Sequence, residues 1–305
     1  MTAAAHTKDT RDGLIAAFIA YLMWGVLPVY FKMVSDVAVF EVLVHRIVWA
    51  VPFGAVIIIW RRQWPEVRRA LGNARILGFL TLAAVLIAGN WFVYIWAVQN
   101  DQIFQASLGY YINPLLFTLA GVLLFGEKLR TFQTAAVFLA AAGVLVLTFS
   151  RGQIPVIALT LGTLFTIYGV IRKRIVVGGM PGLFVETLVL LPLSATYLIW
   201  IMSTGDSAFT LSNPSMVGML LLAGPATVLP LLYFALAARR LSLSTLGFMQ
   251  FIAPTLQFMV GLYYGEVLTT AHAVCFGLVW IAVGLFSWDA WRASRRDTSF
   301  VGQIT

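Results

Sequence analysis

One cysteine, three histidines and twelve acidic residues are all that this 305-residue chain offers to chemistry that needs thiolates, imidazoles or carboxylates. Cys275 alone makes no intrachain disulfide and no thiolate cluster, so it reads as a small packing residue. His6, His45 and His272 are scattered over a tail and two apolar runs, with no H-E-x-x-H for zinc. There is no G-x-x-x-x-G-K-[ST] loop for a nucleotide either. No metal and no cofactor is therefore expected. Charge is scarce: 10% of residues are charged and 61% hydrophobic, with a mean hydropathy of +0.91. Such a chain cannot clothe itself in polar surface in water. It reads as an integral membrane protein, and with no polar stretch long enough for a soluble domain, as one membrane domain.

Apolar runs long enough to cross about 30 Å of hydrocarbon recur along the chain. They place ten helices at 13–33, 38–60, 76–98, 103–125, 131–149, 153–172, 181–202, 214–237, 243–264 and 270–290. The expected fold class is all-α. The runs are continuously apolar and too long for the alternating strands of a barrel. The first run has no cleavage pattern and reads as a retained helix rather than a signal peptide. Of the 20 lysines and arginines, all but Lys32, Arg46 and Arg151 fall in the tails and in alternate loops. The positive-inside rule then puts both termini in the cytoplasm. The net charge of +8 reports this orientation, and no nucleic-acid partner is expected.

A pattern in Gln105–Leu129 returns in Ser244–Leu268. Each has Leu-Gly (Leu108-Gly109, Leu246-Gly247), a mid-run proline (Pro114, Pro254), a glycine (Gly121, Gly261) and a closing Gly-Glu (Gly126-Glu127, Gly265-Glu266). The front ends echo too, Trp24-Gly25 with Glu41 against Tyr168-Gly169 with Glu186. The chain divides into a tail (1–12), a first five-helix repeat (13–150), a second (151–290) and a second tail (291–305). Five spans per copy force the second copy to be inverted. Inverted repeats are a recurrent basis of secondary transporters, whose site lies between the halves near the bilayer midplane.

WGVLPVYFK (Trp24–Lys32), FEVLVHRIVWAVPF (Phe40–Phe53), NWFVYIWAVQN (Asn90–Asn100) and SLGYYINPLLFTLAGVLLFGEKL (Ser107–Leu129) closely resemble the RarD group of EamA-type permeases in the drug/metabolite transporter superfamily. The resemblance implies ten helices in two inverted five-helix repeats and export of small metabolites from a bacterial inner membrane. Better understood members are similar to amino-acid exporters, and the RarD label is linked to chloramphenicol response. An amino-acid or similar metabolite exporter is thus the leading reading, with a multidrug or chloramphenicol-type efflux permease as the alternative. A membrane-embedded enzyme or a receptor is the remote one. The expected partners are a small solute and the lipid bilayer, and the expected state is a monomer.

Candidate site residues follow from the cost of polar groups in lipid. Asn90, Asn113, Gln250 and Gln257 are expected to face the interior, either holding substrate or bridging helices. Trp24, Trp91, Tyr94, Tyr110, Tyr111 and Tyr168 lie away from the helix ends and either line a chamber or pack. Trp60, Trp64, Trp200, Trp288 and Trp291 fall at helix ends and read as interfacial belt residues. Pro114 and Pro254, at matching places, are candidate hinges or static kinks. Arg46, beside His45, is the unusual charge. Its insertion costs about 2.5–3.5 kcal/mol on translocon scales, so it needs a partner or water. Glu41 and backbone carbonyls of another helix are the candidates, and a structural anchor is favoured over binding of a substrate carboxylate. Glu127 and Glu266 are expected to cap the helices that follow them.

Overall fold

The computed structural model describes residues 3–126, 128–241 and 243–301. With no water in hydrocarbon to satisfy exposed backbone groups, a run this apolar closes its hydrogen bonds within itself. Among the described residues twelve helices result: α1 (Ala3–Met33), α2 (Val39–Trp60), α3 (Trp64–Leu71), α4 (Ala74–Gln99), α5 (Ile103–Phe125), α6 (Thr131–Arg151), α7 (Val156–Lys173), α8 (Gly179–Thr204), α9 (Pro214–Ala238), α10 (Leu243–Met249), α11 (Ile252–Tyr263) and α12 (Thr270–Val301). Among the described residues ten spans are long and apolar enough to cross a membrane, the ninth running from α10 through α11. Among the described residues there is no strand.

The sequence-based boundaries need four corrections. The first helix starts at Ala3 rather than 13 and the last runs to Val301 rather than 290, because neither 3–12 nor 291–301 holds a proline or glycine to stop the helix. The 61–75 segment, read as loop, contains α3. Pro65 sits in its first turn, where a missing N–H costs nothing, while Val67 and Ala70 are buried. The ninth helix is broken at Gln250 and Phe251, just before Pro254, which has no N–H to give to the Gln250 carbonyl.

One end of the bundle gathers Arg61, Arg172 and Arg239 and is called here the basic end. At the opposite end the helices are tied by polar links. Lys32 pairs with Asp101, and Gln99 donates to the carbonyls of Val34 and Val37, both at 3.2 Å. Glu266 caps α5, accepting from Ile103 N and, at 2.8 Å, from Phe104 N. Sequence reasoning assigned Glu266 to the following helix, α12. The carboxylate instead meets the N-terminus that folding brings beside it, where backbone donors and helix dipole both favour an anion. Glu127 lies outside the described residues.

Helices α6 and α12 pack on each other at one side, joined to the rest through α5 and α10. The other spans surround a central core of Leu27, Phe31, Val42, Ile47, Trp91, Tyr94, Ile95 and Leu161. The closest approach that shapes this centre is α2 against α9. A Cβ at Gly224 would lie 2.5 Å from the Trp49 carbonyl oxygen, so only glycine lets the two backbones meet there.

Candidate functional site

The close contact at Gly224 brings Arg46 of α2 against Thr227 of α9. Both are 5% exposed. Arg46 Nε donates to Thr227 Oγ1 at 2.8 Å, and the hydroxyl in turn donates a hydrogen bond to the Ala223 carbonyl, also at 2.8 Å. The guanidinium carbon lies 4.1 Å from the centre of the Trp91 ring and 5.8 Å from that of Phe31. The phenols of Tyr30, Tyr94 and Tyr110 lie within electrostatic range. Arg46 Nη1 and the Tyr94 hydroxyl are buried without a hydrogen-bond partner. Among the described residues no ion pair engages Arg46.

These interactions explain how a guanidinium stays inside without a counter-ion. A hydrogen bond from a charged donor contributes about 1.5–3 kcal/mol, and a desolvated cation over an indole about 2 kcal/mol. Together they offset an insertion cost of about 2.5–3.5 kcal/mol. The positive charge itself is left uncompensated. What results is a lone cation with an unused donor, walled by aromatic rings.

The wall is held in place by amide and phenol bonds. Asn90 Nδ2 donates to the Leu161 carbonyl at 3.0 Å, joining α4 to α7, and Asn90 Oδ1 accepts from Tyr110 Oη at 3.1 Å. Tyr30 Oη donates to the Met219 carbonyl at 3.0 Å, tying α1 to α9. Phe31, Tyr94, Tyr110, Phe165 and Tyr168 then follow one another at centroid separations between 5.6 and 6.1 Å. This chain of rings leads toward the basic end, where Tyr168 Oη donates to Glu186 Oε2 at 3.2 Å and Arg172 Nε lies 3.5 Å from Glu186 Oε1.

Comparison with known proteins identifies the family. The model of the EamA-like transporter family matches residues 11–149. The "Protein RarD" of Salmonella typhi is 43% identical over 290 residues, covering 95% of this chain and 99% of that protein. An uncharacterized transporter of Vibrio cholerae is 44% identical, covering 94% and 95%. The chain is a RarD-type member of the EamA-like transporter family. A "Chloramphenicol-sensitive protein RarD" of Pseudomonas aeruginosa is 28% identical over 95% of this chain and 98% of its own length. A solved structure described only as "Crystal structure of protein" superposes with a TM-score of 0.62 at 19% identity, covering 91% of this chain and 98% of the other. At that identity the likeness is one of fold alone. The relatives are transporters and not enzymes, and ten apolar spans make this RarD-type permease a multi-pass protein of the bacterial inner membrane.

The residues singled out from the permease's sequence do not all meet. Asn90, Trp91, Tyr94 and Tyr110 gather around Arg46, and Tyr168 lies at the end of the ring chain. Trp24 is elsewhere, 5.7 Å from Tyr21 and 5.9 Å from Phe234. Tyr111, about 100° around α5 from Tyr110, bonds Thr255 Oγ1 at 2.7 Å and stacks on Phe251. Asn113, with its amide turned to donate, lies 3.2 Å from the Gly162 carbonyl and 3.3 Å from that of Gly109, bridging α5 to α7. Gln257 Nε2 donates at 3.1 Å to the Trp24 carbonyl, which Pro28, lacking an N–H, cannot serve. Gln250 lies at the α10–α11 break. Pro254 lies just past it, whereas Pro114 sits in an unbroken α5. His45 is fully buried but turned from the cluster. Its Nδ1 accepts from Trp49 Nε1 at 2.9 Å, and Nε2 lies 3.9 Å from Glu41.

The expected partners of Arg46 were wrong. Glu41 is instead occupied by Ser207 Oγ at 2.7 Å and Ala208 N at 2.8 Å, and the Arg46 hydrogen bond goes to a hydroxyl, not a carbonyl. Sequence reasoning also missed Tyr30, Phe31, Phe165 and Thr227. Thr227, a polar residue between Pro225 and Pro230 in an otherwise apolar run, carried the one usable signal. The belt tryptophans Trp60, Trp64, Trp200 and Trp288 are exposed near span ends, and the Trp291 side chain lies outside the described residues.

Proposed function

We propose that this permease exports small carboxylate-bearing metabolites, amino acids foremost, by alternating access through an aromatic-walled chamber centred on Arg46. The observation that carries the reading is a buried guanidinium with neutral partners only and an unused Nη1. A structural anchor should be matched by a carboxylate, whereas a receptor keeps its charge and donors for an incoming anion. Trp91, Tyr94, Tyr110 and Tyr168 supply apolar wall for the solute body.

The proposed path is a bundle of two inverted repeats, with the basic end toward the cytoplasm. Its support lies in how the helices pair. Exchanging α1, α2, α4, α5 and α6 for α7, α8, α9, α10–α11 and α12 carries the major contacts onto one another. The α1–α9 contact becomes α7–α4, α1–α11 becomes α7–α5, and α2–α9 becomes α8–α4, while α2–α8, α5–α11 and α6–α12 map onto themselves. A chain whose halves play matching parts around a site can open to either side by rocking one half on the other.

The test is counterflow in proteoliposomes of purified protein, with labelled amino acids and labelled chloramphenicol as rival solutes. Exchange of intact amino acids that requires Arg46 supports the proposal. Exchange of chloramphenicol with no amino-acid flux would favour the drug reading, to which the name of one relative also points.

A further inference from the structure

The basic end holds a second group of guanidiniums, separate from Arg46. Arg61 is the first residue past α2, and Arg239 and Arg240 are the first two past α9. The two helices pack together, and the three charges lie within electrostatic range of one another. Burial, and then the like charges of Arg239 and Arg240, hold Arg61 below the usual guanidinium range. Arg61 Nη1 is enclosed with no hydrogen-bond partner. Arg240 Nη1 donates to the Leu236 carbonyl at 3.1 Å. Among the described residues no ion pair engages Arg61 or Arg239. Glu66, the acidic residue of the neighbouring α3, is taken by Gly178 N at 2.6 Å.

Two like charges, Arg61 and Arg239, held together with no ion pair among the described residues are a cost, and the open Arg61 donor adds to it. The fold supplies what would relieve both. Arg61 directly follows Trp60, 76% exposed at the end of a membrane span, and exposed tryptophans at span ends sit at headgroup level. The cluster therefore lies at the depth of lipid phosphates. Arginine's planar fork also matches a phosphodiester's paired oxygens.

We propose that Arg61 and Arg239 form a binding site for the phosphodiester headgroup of an anionic phospholipid, seated between the ends of α2 and α9. The bound headgroup bridges the helix that carries Arg46 to the helix that carries Thr227, so lipid charge stabilises the α2–α9 pair.

Full-length protein in nanodiscs of phosphatidylcholine, with or without added phosphatidylglycerol, gives a melting increment due to the anionic lipid. Because each variant is its own reference, general destabilisation cancels. The increment is expected in wild type and in Arg75→Gln, a charge-matched control from the same end, and is expected to fall by half or more in Arg61→Gln and in Arg239→Gln. Arg239 is exposed, so its variant decides the matter if Arg61→Gln fails to fold. An increment unchanged in both variants, or lost equally in Arg75→Gln, overturns the site. Inorganic phosphate reproducing the increment in phosphatidylcholine alone overturns the lipid as its ligand.

Discussion

Replacing Thr227 with valine keeps the shape of the side chain and removes one atom's chemistry. In the native protein Arg46 Nε lies 2.8 Å from that hydroxyl, with both residues 5% exposed. Nη1 already lacks a partner, so the variant leaves the buried guanidinium with the Trp91 face as its main remaining support. The lost charge-assisted bond amounts to about 1.5–3 kcal/mol. Water reaching the chamber would lower this figure, and the back-bond from Thr227 to Ala223 is a smaller neutral term. At about 2–4 °C per kcal/mol for chains of comparable size, detergent-purified Thr227→Val should melt at least roughly 3 °C below wild type. Thr227→Ser keeps the acceptor and loses only a methyl, so it should stay closer to wild type. A valine variant that melts with wild type, or a serine variant that loses more than valine, would refute the assignment of this bond as a support for the buried charge.

Two further outcomes are expected. Gly224→Ala drives a Cβ to 2.5 Å from the Trp49 carbonyl, a backbone atom that cannot swing aside. It should destabilise the protein by at least as much as a typical overpacked core, about 1–3 kcal/mol, lowering the melting temperature and reducing transport with it; wild-type melting would show that α2 and α9 are not so close. In a Cys275→Ala background, single cysteines at positions 128 and 267, both on exposed residues, should label from the cytoplasm and the periplasm respectively. Labelling of both from one side contradicts the inverted repeat.

Much of the fold was legible because hydropathy in a membrane chain is nearly a one-dimensional code: every span must be apolar and long enough. The α3 helix escaped because eight residues with one polar face carry too short a period to register. The break at Gln250 escaped for another reason. Pro114 and Pro254 look alike in sequence, yet α5 runs on and the ninth span does not, so the outcome is decided by what packs around each proline. For the site, depth along a helix was readable and direction was not. Tyr110 and Tyr111 differ by one residue and face different helices. Thr227 stood out as a hydroxyl in an apolar run, but its pairing with Arg46, 181 residues away, was not readable.

The central claim is that Arg46 is kept buried and unpaired to receive a carboxylate. Because its partners are neutral, Arg46→Ala should orphan no opposite charge, and the purified variant should melt close to wild type. Counterflow of labelled amino acids should fall at least tenfold, while flux of an uncharged solute carried by the wild type is largely kept. Arg46→Lys, which retains the charge without the planar fork, should recover only part of the lost flux. Amino-acid counterflow at the wild-type rate in Arg46→Ala, or a collapse of stability with equal loss of charged and uncharged solutes, would return Arg46 to a structural role.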